Sequence, residues 1–167
     1  MIKPLHSLAT AALLFCLAFL TVACAPPFPK AMQEKVNKTI SFGELKLAPN
    51  TFQGSWVMLG GIIVGAKNTK DGTLIEVLQK PLDTNGRPAR TDESGGRFLV
   101  QSSTFLDSAI YYPGRELTVI AEILGSKELP LDEISYQYPL CDAKGLHLWS
   151  QDPGPRFFFG IGVSQRL

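Results

Sequence analysis

The side chains that could act as nucleophiles or metal ligands are few in this chain. Its 167 residues include 3 Cys and 2 His, which are too few and too scattered for a structural zinc site. A Ser-His-Asp triad would have to use His147, because His6 lies in an apolar N-terminal segment, and no Gly-x-Ser-x-Gly elbow accompanies it. We therefore expect no enzyme, no metal and no cofactor. His147 alternates with apolar neighbours and is interpreted as a partly exposed strand residue.

Glu76 is a carboxylate within an apolar segment that the pattern predicts to be a strand. Leu74 and Leu78 lie on its side of the pleat, and a buried carboxylate needs a partner or a raised pKa. The cations that could pair with it are Arg87, Arg97 and Arg115. We interpret Glu76 as half of a structural ion pair, and a ligand-binding or catalytic carboxylate is the alternative.

The balance of charge excludes one large class of partner. The chain has 16 Lys and Arg against 15 Asp and Glu, whereas a nucleic-acid binder would need an excess of cations. Apolar residues make up 45% of the chain and charged residues 19%, which argues against wholesale disorder. We expect one folded domain that binds no nucleic acid.

The N-terminus has the form of an export signal. Lys3 is the only charge before residue 30, and an apolar run follows from Leu8 to Leu20, as in a secretory signal. The apolar character continues to Ala25, which is almost the length of about 20 residues that spans a bilayer. An uncleaved anchor and a plain secretory signal therefore stay open as alternatives.

Cys24 follows directly on this run, with the small residue Ala23 before it. The arrangement resembles the lipobox of bacterial lipoproteins, with Thr21 where leucine is usual. The resemblance implies that residues 1–23 are removed and that acyl chains on Cys24 anchor the protein in a membrane. Ala25, where Asp would retain a lipoprotein at the inner membrane, favours the outer membrane of a Gram-negative bacterium.

Cys141 would be the last free thiol after this processing, because Cys16 leaves with the signal. We interpret Cys141 as a buried small hydrophobe. Pairing with a second chain in an oxidising compartment is the alternative.

The remaining chain is predicted to be a tether, a short helix and a series of strands. Residues 25–29 are Pro-rich and should run extended, and residues 30–38 favour a short polar helix. From residue 40, apolar alternation between turn residues predicts six or seven short strands in an all-β sandwich or small barrel. A helical turn is predicted within residues 103–111, a long polar loop over 83–96 and a turn over 125–130. The predicted strands are 40–47, 55–64, 73–78, 97–101, 116–124, 134–140 and 145–149.

Two further expectations concern local geometry. Gly60 and Gly61 should lie at a bend, where a side chain would collide with the neighbouring backbone. Tyr136 and Tyr138 should share one face of a strand. The segment 153–163, which contains Phe157-Phe158-Phe159, is either an extra edge strand or an exposed apolar tail.

Five blocks of sequence, in order, resemble the Slp family of outer-membrane lipoproteins. The blocks are Trp56–Ile63, Thr73–Leu78 with Pro81–Pro88, Gly96–Leu99, Tyr112–Val119, and Tyr136–Pro139 with Leu146–Trp149. The resemblance covers roughly Phe28 to Trp149. It implies an outer-membrane lipoprotein that faces the periplasm through a small OB-like β-barrel, and it brings no established activity and no catalytic residues.

The expected organisation is a signal peptide over 1–23, a lipid-anchored tether and short helix over 24–39, and the β-barrel domain over 40–167. The expected role is structural or related to starvation or envelope stress, with outer-membrane lipid as the partner through Cys24. Envelope protein partners are possible and are not identified by the sequence. The alternative is a module that binds a small molecule, lipid or glycan on an OB-like face. The aromatic residues at or near strands that favour it are Trp56, Tyr111, Tyr112, Tyr136, Tyr138 and Trp149.

Overall fold

The computed structural model describes residues 26–151. The predicted signal peptide, Cys16, Cys24 and the segment 153–163 lie outside the described residues. Among residues 26–151, no helix combines the length and the apolar character needed to cross a bilayer.

Three short helical elements precede the strands. They are α1 (Lys30–Gln33), α2 (Phe42–Leu47) and the 3-10 helix η1 (Pro49–Phe52). The predicted helix over 30–38 is present only as α1, which ends four residues after Pro29. The described body is otherwise mostly β-strand, as predicted.

The predicted strand over 40–47 is wrong, because α2 occupies most of it. The Ser41 hydroxyl accepts a hydrogen bond from the Glu44 backbone N–H at 3.2 Å, and the Glu44 carboxylate accepts from the Ser41 N–H at 2.9 Å. This capping box satisfies two backbone donors that would otherwise lack a partner at the start of a helix. The Ser41 hydroxyl also donates to the Glu44 carboxylate at 2.7 Å. This bond, followed by the one from the Ser41 N–H, lowers the pKa of Glu44 below its ordinary value. The helix then buries Leu45 completely.

Five strands form the barrel in the described part of the chain. They are β1 (Trp56–Thr69), β2 (Gly72–Gln79), β3 (Arg97–Ser102), β4 (Glu116–Leu131) and β5 (Ile134–Leu148). They close in the order β1-β2-β3-β5-β4. Every neighbouring pair is antiparallel except β3 and β5, which are parallel.

The described residues therefore contain five strands rather than the predicted six or seven. The segments 134–140 and 145–149 are one strand, because the pairing with β4 continues across a bulge at Lys144. The turn predicted over 125–130 is also wrong. The chain stays paired as far as Leu131 and reverses at Asp132, which has a φ of 53°.

The barrel core is apolar and is closed at both ends. The fully or almost fully buried side chains include Val57, Ile63, Ile75, Val77, Phe98, Val100, Leu117, Val119 and Ile123. Leu45 of α2 plugs one end. The connection 103–115, which we call the cap loop, packs Leu106 and Tyr111 against the core at the other end. It holds a single turn, in which the Tyr111 N–H donates to the Asp107 carbonyl at 2.9 Å.

Gly60 and Gly61 lie where β1 leaves β4 and joins β2. Gly61 is paired with both neighbours, through Leu117 and Gln79. A Cβ atom on Gly61 would overlap the carbonyl oxygen of Leu78, and one on Gly60 would overlap the side chain of Leu82. The predicted collision with neighbouring backbone is confirmed at Gly61.

Candidate functional site

A cleft of about 530 Å³ lies on the outer wall of the barrel. Its floor comes from β1 and the end of β5, through Met58, His147 and Trp149. The N-terminal segment forms one side with residues 26–28 and Gln33, and the loop 83–87 forms the other. The cleft therefore depends on four parts of the chain that are far apart in sequence.

Phe28 fixes the N-terminal segment to the barrel. It is 4% exposed and makes an edge-to-face contact with the His147 ring, with 6.3 Å between centroids. Gly145 leaves room for it, because a Cβ there would lie 3.2 Å from the Phe28 ring. Gln33 Nε2 donates to the Phe28 carbonyl at 2.8 Å. These contacts of Phe28 position Pro26 and Pro27 at the cleft.

Three aromatic rings that line the cleft contact one another in the order Phe28, His147 and Trp149. The His147 ring also meets Trp149 edge to face, at 4.5 Å between centroids. Trp149 Nε1 donates to the Thr118 hydroxyl at 2.9 Å. That hydroxyl donates in turn to the Gly86 carbonyl at 2.7 Å, so the same pair of bonds holds the ring and the loop 83–87.

The loop itself is a compact turn built on Asp83. One oxygen of the Asp83 carboxylate accepts from the backbone N–H groups of Asn85 and Arg87, both at 2.8 Å. The Arg87 guanidinium pairs with Glu116 and lies over the Trp149 ring, 5.5 Å from its centroid. These contacts give the cleft one aromatic side and one side of peptide and amide groups.

His147 is half-buried in β5, which confirms the interpretation of it as a partly exposed strand residue. Burial lowers the pKa of His147 below its ordinary value, so the ring is neutral at pH 7. Within residues 26–151 its ring nitrogens make no hydrogen bond, so no nucleophile there is paired with this base. No group of three or more metal-ligating side chains occurs in the same range.

The Glu76 cluster on β2 and β3 is a structural ion pair, as interpreted from the sequence. Arg97 Nη1 lies 2.7 Å from Glu76 Oε1, and the Tyr138 hydroxyl donates to the same oxygen at 3.2 Å. The hydrogen bond to Glu76 raises the pKa of Arg97, and burial raises the pKa of Tyr138. Tyr136 and Tyr138 share a face as predicted, with ring centroids 4.6 Å apart.

The other two candidate partners of Glu76 serve the cleft and the cap loop instead. Arg87 pairs with Glu116. Arg115 donates to the Trp149 carbonyl at 3.0 Å and to the Ile110 carbonyl at 3.3 Å. Its guanidinium lies 5.5 Å from the centroid of the Tyr112 ring. Arg115 thereby joins the cap loop to the cleft.

Cys141 is fully buried, which confirms its interpretation as a small hydrophobe. Burial raises the pKa of its thiol to about 12. The thiolate is therefore scarce at pH 7, and the thiol is shielded from a second chain.

Sequence reasoning missed Phe28, Met58 and the loop 83–87 as parts of one site. The run Asp83-Thr84-Asn85-Gly86 is a turn signature, which predicts a loop and not its position on the barrel. Nothing local shows that this loop folds back onto the wall beside residues 26–28.

The fold and the site define a small all-β protein with a closed barrel and an N-terminal segment that packs on its wall. The chain belongs to the Outer membrane lipoprotein Slp family, whose model matches residues 21–159. This confirms the family resemblance. The family is one of outer membrane lipoproteins of Gram-negative bacteria, and its description names no enzymatic activity.

Relatives cover most of the chain. "Outer membrane protein Slp" of Escherichia coli (strain K12) is 27% identical over 140 residues, which are 83% of this chain and 73% of that protein. A Haemophilus influenzae protein is 27% identical over 135 residues, or 80% of this chain and 73% of that protein. "Uncharacterized lipoprotein YeaY" of Escherichia coli (strain K12) is 28% identical over 102 residues, or 61% of this chain and 52% of that protein. No solved structure matches the chain significantly.

Proposed function

We propose that the protein is anchored in the outer membrane by acyl chains on Cys24 and that its barrel faces the periplasm, in a structural or envelope-stress role. Cys24 follows Ala23 and an apolar run, and the family is one of outer membrane lipoproteins. In this proposal residues 1–23 are removed, residues 24–39 join the lipid to the barrel, and the barrel domain occupies 40–167.

The burial of Phe28 is the observation that carries the proposal. Phe28 is held on the barrel wall only four residues after Cys24. Four residues of extended chain span at most about 14 Å. An acylated Cys24 therefore holds the barrel directly on the membrane surface, which suits a protein that acts at the membrane rather than one that reaches across the periplasm.

We further propose that the barrel is OB-like. The support is a single five-stranded closed sheet in the order β1-β2-β3-β5-β4, with β3 parallel to β5. A five-stranded barrel with Greek-key connections is the architecture of that fold. Its loops and faces commonly bind ligands, which gives no specific activity by itself.

The test of anchoring compares two cysteine variants in cells. Cys24→Ala should leave the precursor uncleaved and shift the protein away from the outer-membrane fraction of a density gradient. Cys16→Ala is the matched control, because Cys16 lies within the apolar run, and it should be processed and sorted normally. Recovery of Cys24→Ala with the outer membrane in processed form would contradict the proposal.

A second candidate function is binding of a small molecule, lipid or glycan in the cleft. It is favoured by the half-buried His147 beside Trp149, because the His147 ring nitrogens have no hydrogen-bond partner within residues 26–151. The volume of the cleft, about 530 Å³, lies in the range of ligand sites, roughly 300–1,000 Å³. Muropeptides and phospholipids, added separately, should change Trp149 fluorescence in the Trp56→Phe variant if this is right. No change with either class would reject it.

A further inference from the structure

Exposed apolar side chains mark the cap loop. Phe105 is 66% exposed and Ile110 is 51% exposed, and the half-buried Tyr112 lies against Arg115. Aromatic rings with a polar atom and arginine side chains are typical of the boundary between water and lipid. Exposed apolar residues also occur at the other end of the barrel, so exposure alone does not identify a partner.

The direction of the N-terminal segment distinguishes the two ends. Val36 bridges to Trp56, which pairs with Glu122 well inside β4. Phe28 packs beside Gly145, which pairs with Ile120. Towards its N-terminus the segment therefore runs along the wall in the direction of Glu116, where β4 begins and the cap loop ends.

The first described residue, Pro26, lies on the side of the barrel where β4 begins. Pro26 and Trp149 line the same cleft, and Trp149 donates its backbone N–H to the Glu116 carbonyl at 3.0 Å. Cys24 is two residues before Pro26, so its Cα lies within about 7 Å of the Pro26 Cα. Arg115 donates to both Trp149 and Ile110, which places the exposed Ile110 next to the cleft that Pro26 lines.

The charges at the two ends differ in sign. The cap loop and the adjacent β1–β2 hairpin carry three cations and two carboxylates: Lys67, Lys70 and Arg115 with Asp71 and Asp107. The tip of the β4–β5 hairpin carries one cation and three carboxylates: Lys127 with Glu128, Asp132 and Glu133. A phospholipid surface with anionic headgroups attracts the first set and repels the second.

We propose that the cap-loop end, through Phe105, Ile110, Tyr112 and Arg115, lies in the headgroup region of the phospholipid leaflet that holds the acyl chains of Cys24. The barrel then stands on the membrane by its cap loop and presents the acidic tip of the β4–β5 hairpin to the periplasm. The proposal rests on the acylation of Cys24 proposed above. It adds to the acyl anchor a contact between the barrel itself and the lipid, which fixes the orientation of the barrel.

The 2 Trp residues of the chain allow a direct test. Trp149 lies at the cleft near the cap loop, and Trp56 lies farther along the wall at the start of β1. The full acylated protein is placed in vesicles of phosphatidylethanolamine and phosphatidylglycerol that carry bromine on their acyl chains. The Trp56→Phe variant reports Trp149, and the Trp149→Phe variant reports Trp56. Bromine should quench Trp149 about twofold more strongly than Trp56.

Surface variants provide a second comparison in which the two tryptophans are not compared with each other. Phe105→Ser and Ile110→Ser should reduce the quenching of Trp149, while Leu47→Ser and Ile134→Ser, which change exposed apolar residues at the opposite end, should not. Equal quenching of the two tryptophans, or an equal effect of both pairs of variants, would overturn the proposal. The mass of the N-terminal peptide is determined on the same sample. A missing acyl group counts against the proposed function, whereas equal quenching in acylated protein counts against the orientation alone.

Discussion

At the cap-loop end the barrel is closed by an irregular connection, whereas at the opposite end it is closed by α2 and η1 beside the tip of the β4–β5 hairpin. We call the latter the hairpin end. Both ends expose large apolar residues, Phe105 and Ile110 at one and Leu47 and Ile134 at the other. They differ in the sign of their charge and in their distance from the N-terminal segment. The comparison teaches that orientation on a membrane depends on where charge and anchor lie, since the whole chain is almost neutral.

The largest effect on stability is expected at the hairpin end, where a buried and an exposed residue of α2 can be compared. Leu45 is fully buried and Leu47, two residues later on α2, is 86% exposed. Leu45→Ala should lower the free energy of unfolding by about 2–5 kcal/mol, because it leaves a cavity in the core. Leu47→Ala is the matched control and should change it by less than about 0.5 kcal/mol. Urea denaturation of both variants measures the difference, and similar losses would show that α2 does not close the core.

A smaller effect on stability is expected in β1, which runs along the barrel wall between the two ends. Gly61→Val should lower the free energy of unfolding by roughly 1–3 kcal/mol, because the new side chain meets the Leu78 carbonyl. Gly65→Val provides the control on the same strand, since a Cβ at Gly65 meets no atom within 4 Å. Thermal unfolding followed by far-UV circular dichroism compares the two. A stable Gly61→Val protein would mean that β1 does not approach β2 as closely as described.

The smallest effect is the pH dependence of stability that comes from His147 in the cleft. The pKa of His147 is lowered by burial in the folded protein, so the unfolded chain binds the proton more tightly. The neutral ring therefore contributes its full stability above the unfolded pKa of about 6.5, and this contribution is lost as the pH falls through the folded pKa. Melting temperature should fall on acidification, and His147→Phe should weaken this dependence. An unchanged pH profile in that variant would show that other groups cause it.

Local patterns predicted the strands that face the core, and they failed where no face is buried. The predicted segments 73–78 and 97–101 match β2 and β3 within one residue at each end, because alternation of apolar residues reports one buried face. The outer halves of β4 and β5 extend beyond the core, so polar residues occur on both faces. Gly125 and Pro130 therefore predict a turn, although the pairing continues past them.

The error over residues 40–47 came from local signals that compete. Ile40 and Phe42 alternate like a strand, but Ser41 and Glu44 form a capping box, and the spacing of three residues between Phe42 and Leu45 suits one face of a helix. The candidate site was harder to predict, because long-range contacts assemble it. Three arginines could have paired with Glu76, and the order of strands decides for Arg97. Likewise, only the barrel brings the Thr118 hydroxyl to Gly86.

The mass of the N-terminal peptide of protein extracted from the outer membrane tests the central claim most directly. The expected peptide begins at Cys24 and carries a diacylglycerol group on its thiol, with a further acyl chain on its amino group. A peptide that begins at Met1, or one that contains Cys24 without lipid, would contradict the account.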